Sequence, residues 1–237
     1  MSIILLVHGA WVGGWSWEKV APLLEQKGYE VKTPDLPGHG MDNTPLSDVN
    51  LQAYTAKISQ VLDEFDDQVI LVGHSMGGIV ISQVAEERPQ KIKKLVYLAA
   101  YLLQNGQSTM EVFQEDKNSL LGPSVIMSED QSYATLKEEG ITNVIYPDAS
   151  DEDLVRIKKR IVPQATIPLA TPINITEENY GSIPRVYIEC TNDLVISPAA
   201  QKEMYNKMPC EKVLSLEASH TPNYGTPEKL VESLLSV

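Results

Sequence analysis

The chain has 237 residues, 43% hydrophobic and 22% charged, which suits one large core in a single α/β domain. A formal net charge of -13 argues against nucleic acid or anionic membrane as a partner, and the acidity is read as serving solubility. Cys190 and Cys210 are too few and too isolated for a disulfide framework or a zinc site, so reduced thiols are expected.

The opening run Met1-Ser2-Ile3-Ile4-Leu5-Leu6-Val7 lacks a basic start and is too short for a signal peptide or membrane span. It reads as a buried first strand over Ile3–Val7, in a cytoplasmic protein. A helix is expected over 17–27, closed by Gly28, followed by a strand over 30–33 and a helix over 51–65. A strand over 69–72 runs straight into Gly73-His74-Ser75-Met76-Gly77 and a helix over 76–88, stopped by Pro89. The strand over 92–99 comes next. Near-continuous apolar runs of this kind fit parallel strands covered on both faces.

From Tyr101 to Ser182 the alternation stops. Polar turns separate helical pieces over 131–139 and 151–161, the second opened by Ser150 with Asp153, and no convincing buried strand is found. Pro163, Pro168 and Pro172 then force extended chain. The stretch 101–182 is read as an inserted, mainly helical cap on a core made of 1–100 and 183–237, the whole being one structural domain. Beyond it lie a strand over Arg185–Cys190, a helix over Pro198–Lys207 capped by Ser197, a strand over Lys212–Leu216 and a helix over Pro227–Leu235 capped by Thr226. Such βαβα order predicts an α/β fold with a doubly wound, mostly parallel sheet.

The pentad around Ser75 is a Gly-x-Ser-x-Gly between strand and helix, the pattern of a nucleophile elbow. Its glycines are needed because any Cβ there would strike the neighbouring strand or helix. A serine nucleophile needs a base, and the base needs an orienting acid. Of the four histidines, His8, His39, His74 and His220, only His220 follows Ser75 in the order serine, acid, histidine. Asp193, at the end of the preceding strand, is the expected acid. Glu189 should lie inside that strand, and Glu217 sits too near His220 in sequence to orient it. Two backbone N–H groups must hold the oxyanion: that of Met76, and that of Ala10 in the loop after the first strand, where Gly9 lets the chain turn. His8 is read as a loop brace, His74 as a packed, satisfied histidine and His39 as shaping the floor of the site. No H-x-H or H-x-x-x-H spacing supports a metal.

Taken together, Val7-His8-Gly9-Ala10-Trp11-Val12-Gly13-Gly14-Trp15-Ser16-Trp17, Asp35-Leu36-Pro37-Gly38-His39-Gly40, the elbow, and the run from Arg185 to Asp193 resemble an α/β-hydrolase. The group is that of plant methyl esterases and hydroxynitrile lyases, with bacterial esterases and pyrethroid hydrolases as relatives. The resemblance is weakest in the cap. It implies a Ser75-His220-Asp193 triad, oxyanion donors on Ala10 and Met76, and no cofactor. Lyases of the group carry a threonine where this chain has Gly9, and a lysine after the catalytic histidine where it has Thr221. Ester hydrolysis is therefore the expectation, with a hydroxynitrile lyase, a lactonase or a non-enzymatic small-molecule receptor as rivals.

Gly9, Trp11, Tyr101, Phe113 and Met127 are the candidates for the substrate pocket, while Trp15 and Trp17 are read as packing for the following helix. Leu102, Leu120, Leu121, Ile126, Ile145 and Tyr146 are read mostly as cap core. Together they predict a small, largely apolar carboxylic ester as the partner molecule. A homodimer is compatible with the sequence, but no feature of it decides.

Overall fold

In the computed structural model, which describes residues 2–237 with Met1 outside the described residues, six parallel strands form the central sheet. In chain order the first half of the core holds β1 (Ile3–Val7), α1 (Ala21–Gln26), β2 (Glu30–Lys32), α2 (Leu51–Asp63), β3 (Val69–His74), α3 (Gly77–Glu87) and β4 (Ile92–Leu98). The stretch expected as a cap holds α4 (Thr109–Glu115), β5 (Val125–Met127), β6 (Tyr133–Leu136), α5 (Glu138–Gly140) running into a π-turn over Ile141–Ile145, α6 (Asp151–Arg160), β7 (Gln164–Ala165) and α7 (Ile167–Ala170). The chain closes with β8 (Arg185–Cys190), α8 (Pro198–Lys207), β9 (Lys212–Leu216), α9 (Pro222–Gly225) and α10 (Pro227–Leu235).

The sheet order is β2-β1-β3-β4-β8-β9. Alternate residues of each strand serve opposite faces. Ile3, Leu5 and Val7 pack with α2 and α3, whereas Ile4 and Leu6 pack with α1 and α10. Chain direction across the sheet reverses between β1 and β3, so the loops leaving these two neighbours diverge and open a crevice. Both proposed oxyanion donors and Ser75 lie at that point.

Three local expectations need correction. The helix expected over 17–27 begins only at Ala21, after a separate turn over Gly14–Trp17. Pro22 has no N–H and fits only a first turn, so it fixes the start there. The helix expected over 131–139 is instead strand β6, and only Glu138–Gly140 is helical. The Asp130 carboxylate gathers Ser128 and Ser132 into a tight turn, Gln131 sits at φ 58°, and Tyr133–Leu136 pairs antiparallel with both β5 and β7. Thr226 stands at the N-cap of α10, but its hydroxyl is buried without a partner rather than capping. Ser150 and Ser197 do cap, accepting from the backbone N–H groups of Asp153 and Ala200.

Asp153 also ties α6 to the core. Its buried carboxylate accepts from Lys19, Ser150 and Arg156. Burial opposes the charge, but these donors outweigh it and hold the group at about 2, below its ordinary 3.8. A depressed carboxylate stabilises the fold above its unfolded-state value and loses that contribution as pH falls through the folded one. Asp153→Asn should therefore cost on the order of 1–2 kcal/mol at neutral pH, with urea unfolding curves of the variant and the parent converging near pH 2.

Candidate active site

Ser75 occupies the turn between β3 and α3 at φ 55°, a left-handed conformation unusual for a residue with a side chain. The close packing around it explains the flanking glycines. A Cβ on Gly73 would stand 2.6 Å from the Gly77 carbonyl oxygen, and one on Gly77 would stand 2.8 Å from that of Val7. The turn is fixed on both sides by backbone bonds, Ser75 N–H to Leu98 C=O at 3.2 Å and Tyr101 N–H to Ser75 C=O at 3.1 Å.

His220 lies in the loop after β9, and its Nδ1 donates to Asp193 Oδ2 at 2.8 Å. Asp193, in the loop after β8, receives three further donors. Val195 and Ile196 N–H reach Oδ1 at 2.7 and 3.0 Å, and Gln201 Nε2 reaches Oδ2 at 3.0 Å. Both side chains are almost wholly buried. The rival acids point elsewhere: Glu189 accepts from Tyr205 and Ser215, and Glu217 is exposed. Ser75 and His220 line one cavity, and no hydrogen bond joins Ser75 Oγ to His220 Nε2.

Among the described residues, neither the Ala10 nor the Met76 N–H is donated to a protein acceptor. Met76 is the N-cap of α3, so the positive end of that helix faces the same place. The cavity, about 120 Å³, is lined by Gly9, Ala10, Trp11, Ser75, Met76, Tyr101, Phe113, Met127 and His220 among others. This is on the scale of an apolar cavity that accepts one benzene ring. All five residues expected in the pocket line it. Ile145, Tyr146 and Leu121, expected as cap core, line it too, whereas Leu120 and Ile126 are exposed. Burial raises the Tyr101 and Tyr146 phenols above their ordinary range, so both remain protonated donors.

The other histidines are structural, though not all as expected. His8 donates from Nδ1 to Gly9 C=O at 2.8 Å and accepts the Leu36 N–H on Nε2 at 3.1 Å, so it braces the oxyanion loop. Burial, reinforced by His39, holds it down at about 3 and therefore neutral. His39 is not on the floor of the cavity: it packs against His8 and Tyr54 and bonds Pro37 C=O and Gln164 Oε1. His74 is only half satisfied. Its Nε2 donates to the His220 C=O at 2.8 Å, while Nδ1 is buried without a partner. Burial, then the neighbouring His220, holds it at about 3. Trp15 lies under the Arg160 guanidinium, 4.4 Å from its ring, and Trp17 is buried beside α1.

Gln201 carries no signal in the sequence. It is an amide on α8, and only the fold brings it against Asp193. Its other contacts, from Cys190 N–H and to Ile196 C=O, lock the rotamer. Gln201→Leu should lower kcat for an aryl ester about tenfold through a looser Asp193, as loss of an orienting outer partner typically does, with thermal unfolding run in parallel to confirm folding.

A model described as "Alpha/beta hydrolase family" matches residues 4–233. A pyrethroid hydrolase from Sphingobium wenxiniae is 36% identical over 98% of this chain and 85% of its own length. Methylesterase 9 of Arabidopsis thaliana is 31% identical over 100% of this chain and 98% of its own. The crystal structure of a pyrethroid hydrolase from Sphingobium faniae superposes with a TM-score of 0.89 at 34% identity, covering 99% of this chain and 96% of that one.

Proposed function

The chain belongs to the alpha/beta hydrolase family, and from that premise we propose that Ser75, His220 and Asp193 carry its chemistry. The protein is a carboxylic ester hydrolase acting on a small-molecule ester. The observation that carries the residue assignment is the Asp193–His220 bond opening onto the cavity that Ser75 lines.

In this reading His220 Nε2 takes the Ser75 proton as Oγ attacks the ester carbonyl. Asp193 holds the proton on Nδ1 and stabilises the imidazolium that forms. The Ala10 and Met76 N–H groups receive the oxyanion. His220 then returns the proton to the departing alkoxide. Water, activated by the same nitrogen, releases the acid and restores Ser75. The apolar wall of Phe113, Met127 and Leu121 favours an ester with a small hydrophobic portion. The chemistry calls on no cofactor. The free thiols Cys190 and Cys210 suit a reducing cytoplasm, and the acidic chain suits work without nucleic acid or membrane. Among the described residues no helix is long and apolar enough to cross a membrane.

Cyanohydrin cleavage fits less well. Cyanide leaving as an anion needs a cation at the base. Position 221 holds a threonine whose hydroxyl is committed to Ile145 C=O at 2.7 Å. A Cβ on Gly9 would stand 3.0 Å from Ser75 Cβ and 3.4 Å from His74 Nδ1, so even one carbon there crowds the nucleophile.

Turnover of 4-nitrophenyl acetate against methyl and bulkier aryl esters tests the assignment. Ser75→Ala should lose several orders of magnitude in kcat and all labelling by a fluorophosphonate, and Asp193→Asn about 10⁴ in kcat. An active Ser75→Ala protein, or label on another serine, would overturn it. Gly9→Thr should lower kcat for 4-nitrophenyl acetate at least tenfold by displacing Ser75, and an unaltered rate would show that the crowding is harmless.

A further inference from the structure

Three catalytic parts sit on loops of the core, and each of those loops is bonded to the inserted stretch 101–182. The oxyanion loop is held through Trp11. Its indole Nε1 donates to Ala134 C=O on β6 at 3.0 Å, and its own carbonyl accepts the Val162 N–H at 2.9 Å. The acid loop is held at 194–197. Leu120 N–H reaches Leu194 C=O at 2.8 Å, Ser119 Oγ reaches Val195 C=O at 2.7 Å, and Asp116 accepts the N–H and hydroxyl of Ser197. The base loop is held on both sides of His220. Ser219 N–H reaches Asp148 Oδ2 at 3.1 Å, and Thr221 Oγ1 reaches Ile145 C=O at 2.7 Å at the end of the π-turn. The nucleophile elbow is bonded to Leu98 at the end of β4 and to the backbone of Tyr101, the first residue of the inserted stretch. Each of the other three loops also has a core partner: Leu36 N–H on His8, Gln201 on Asp193 and His74 on the His220 C=O.

We propose that the cap is the template of the catalytic geometry, and that Trp11, Ser119 and Thr221 are positioning residues through which it sets the oxyanion donor, the acid and the base. The inference rests on the assignment of Ser75, His220 and Asp193 given above. Trp11 makes the case most sharply. It sits at φ 63°, a costly conformation for a bulky side chain. Its two bonds to the cap hold it there, and Ala10, the proposed oxyanion donor, is the next residue. A loop released from the cap would relax towards negative φ and turn the Ala10 N–H away from the oxyanion. At the opposite side, Thr221 and Ser219 bracket His220 so that a shift of the π-turn moves the imidazole against Asp193. A cap that holds all three loops cannot swing away as a body without dismantling the site, so substrate enters through the mouth of the cavity.

The test removes one strap at a time while keeping shape. Trp11→Phe deletes the indole N–H, Ser119→Ala the hydroxyl, and Thr221→Val the hydroxyl at nearly constant volume. For 4-nitrophenyl acetate each should lower kcat about tenfold with KM within twofold, since the lost bonds align groups that matter in the transition state. Melting temperatures are measured alongside. The downfield proton resonance of His220 Nδ1–H separates a positioning role from a merely structural one: it should shift or broaden in Thr221→Val and stay put in Trp11→Phe. A kcat within twofold of the parent in either Trp11→Phe or Thr221→Val overturns the proposal, as does a fall in kcat matched by loss of folded protein. If the parent protein hydrolyses no ester, the catalytic reading fails instead, and the His220 resonance in Thr221→Val still decides whether the cap positions that loop.

Discussion

Everything at the site is referred to the left-handed turn at Ser75. A serine does not hold φ 55° by preference; the surroundings impose it. Gly73 and Gly77 admit β1 and α3 to distances no side chain would allow, and the Leu98 and Tyr101 bonds close the turn from the far side. Three things follow from this one constraint. Ser75 stands at the head of the sheet, the Met76 N–H is left without a protein acceptor, and the start of α3 faces the cavity. Because β1 is the immediate neighbour of β3, the Gly9–Ala10 loop arrives beside the same point without any long excursion.

Much of the core is legible in the sequence because its strands are buried on both faces. A run such as Val69–Val72 has no polar alternation to confuse with a surface strand, and glycine, serine and proline punctuate its ends. The catalytic candidates are legible for a related reason: the fold presents them on loops directly after strands, so order along the chain carries their roles. The stretch 101–182 is less readable. Tyr133–Leu136 is a strand through pairing with residues that are remote in sequence, Gln164 and Ala165 among them, and a local reading of helical composition misses that. Gln201, Asp148 and Thr221 are ordinary polar residues until the fold brings an acceptor or donor to them.

The histidines show how burial distributes chemical roles. His8 and His74 are held neutral by desolvation; His8 spends both ring nitrogens on backbone groups around the loop after β1, and His74 spends Nε2 on the carbonyl of His220. His39 is lowered as well and ties the segment after β2 to β7. That leaves His220, which has the Asp193 carboxylate on one nitrogen and lines the cavity, as the histidine proposed to transfer protons. The three imidazoles that the sequence already sets aside as bases are, in the folded protein, packed and hydrogen-bonded around the segments that carry the site.

The chain's three tryptophans, Trp11, Trp15 and Trp17, all fall within one short segment after β1. One is strapped to the cap, one lies under Arg160 of α6, and one is sealed in the core beside α1. Tryptophan emission, excited beyond the absorption of the ten tyrosines, is consequently not an average over the molecule. It is a local signal from the seam between the loop after β1 and the stretch 101–182, with Trp17 sealed from solvent and edge-on to His74 of the cavity wall, so ligand entry can be followed optically without a dye or an added label.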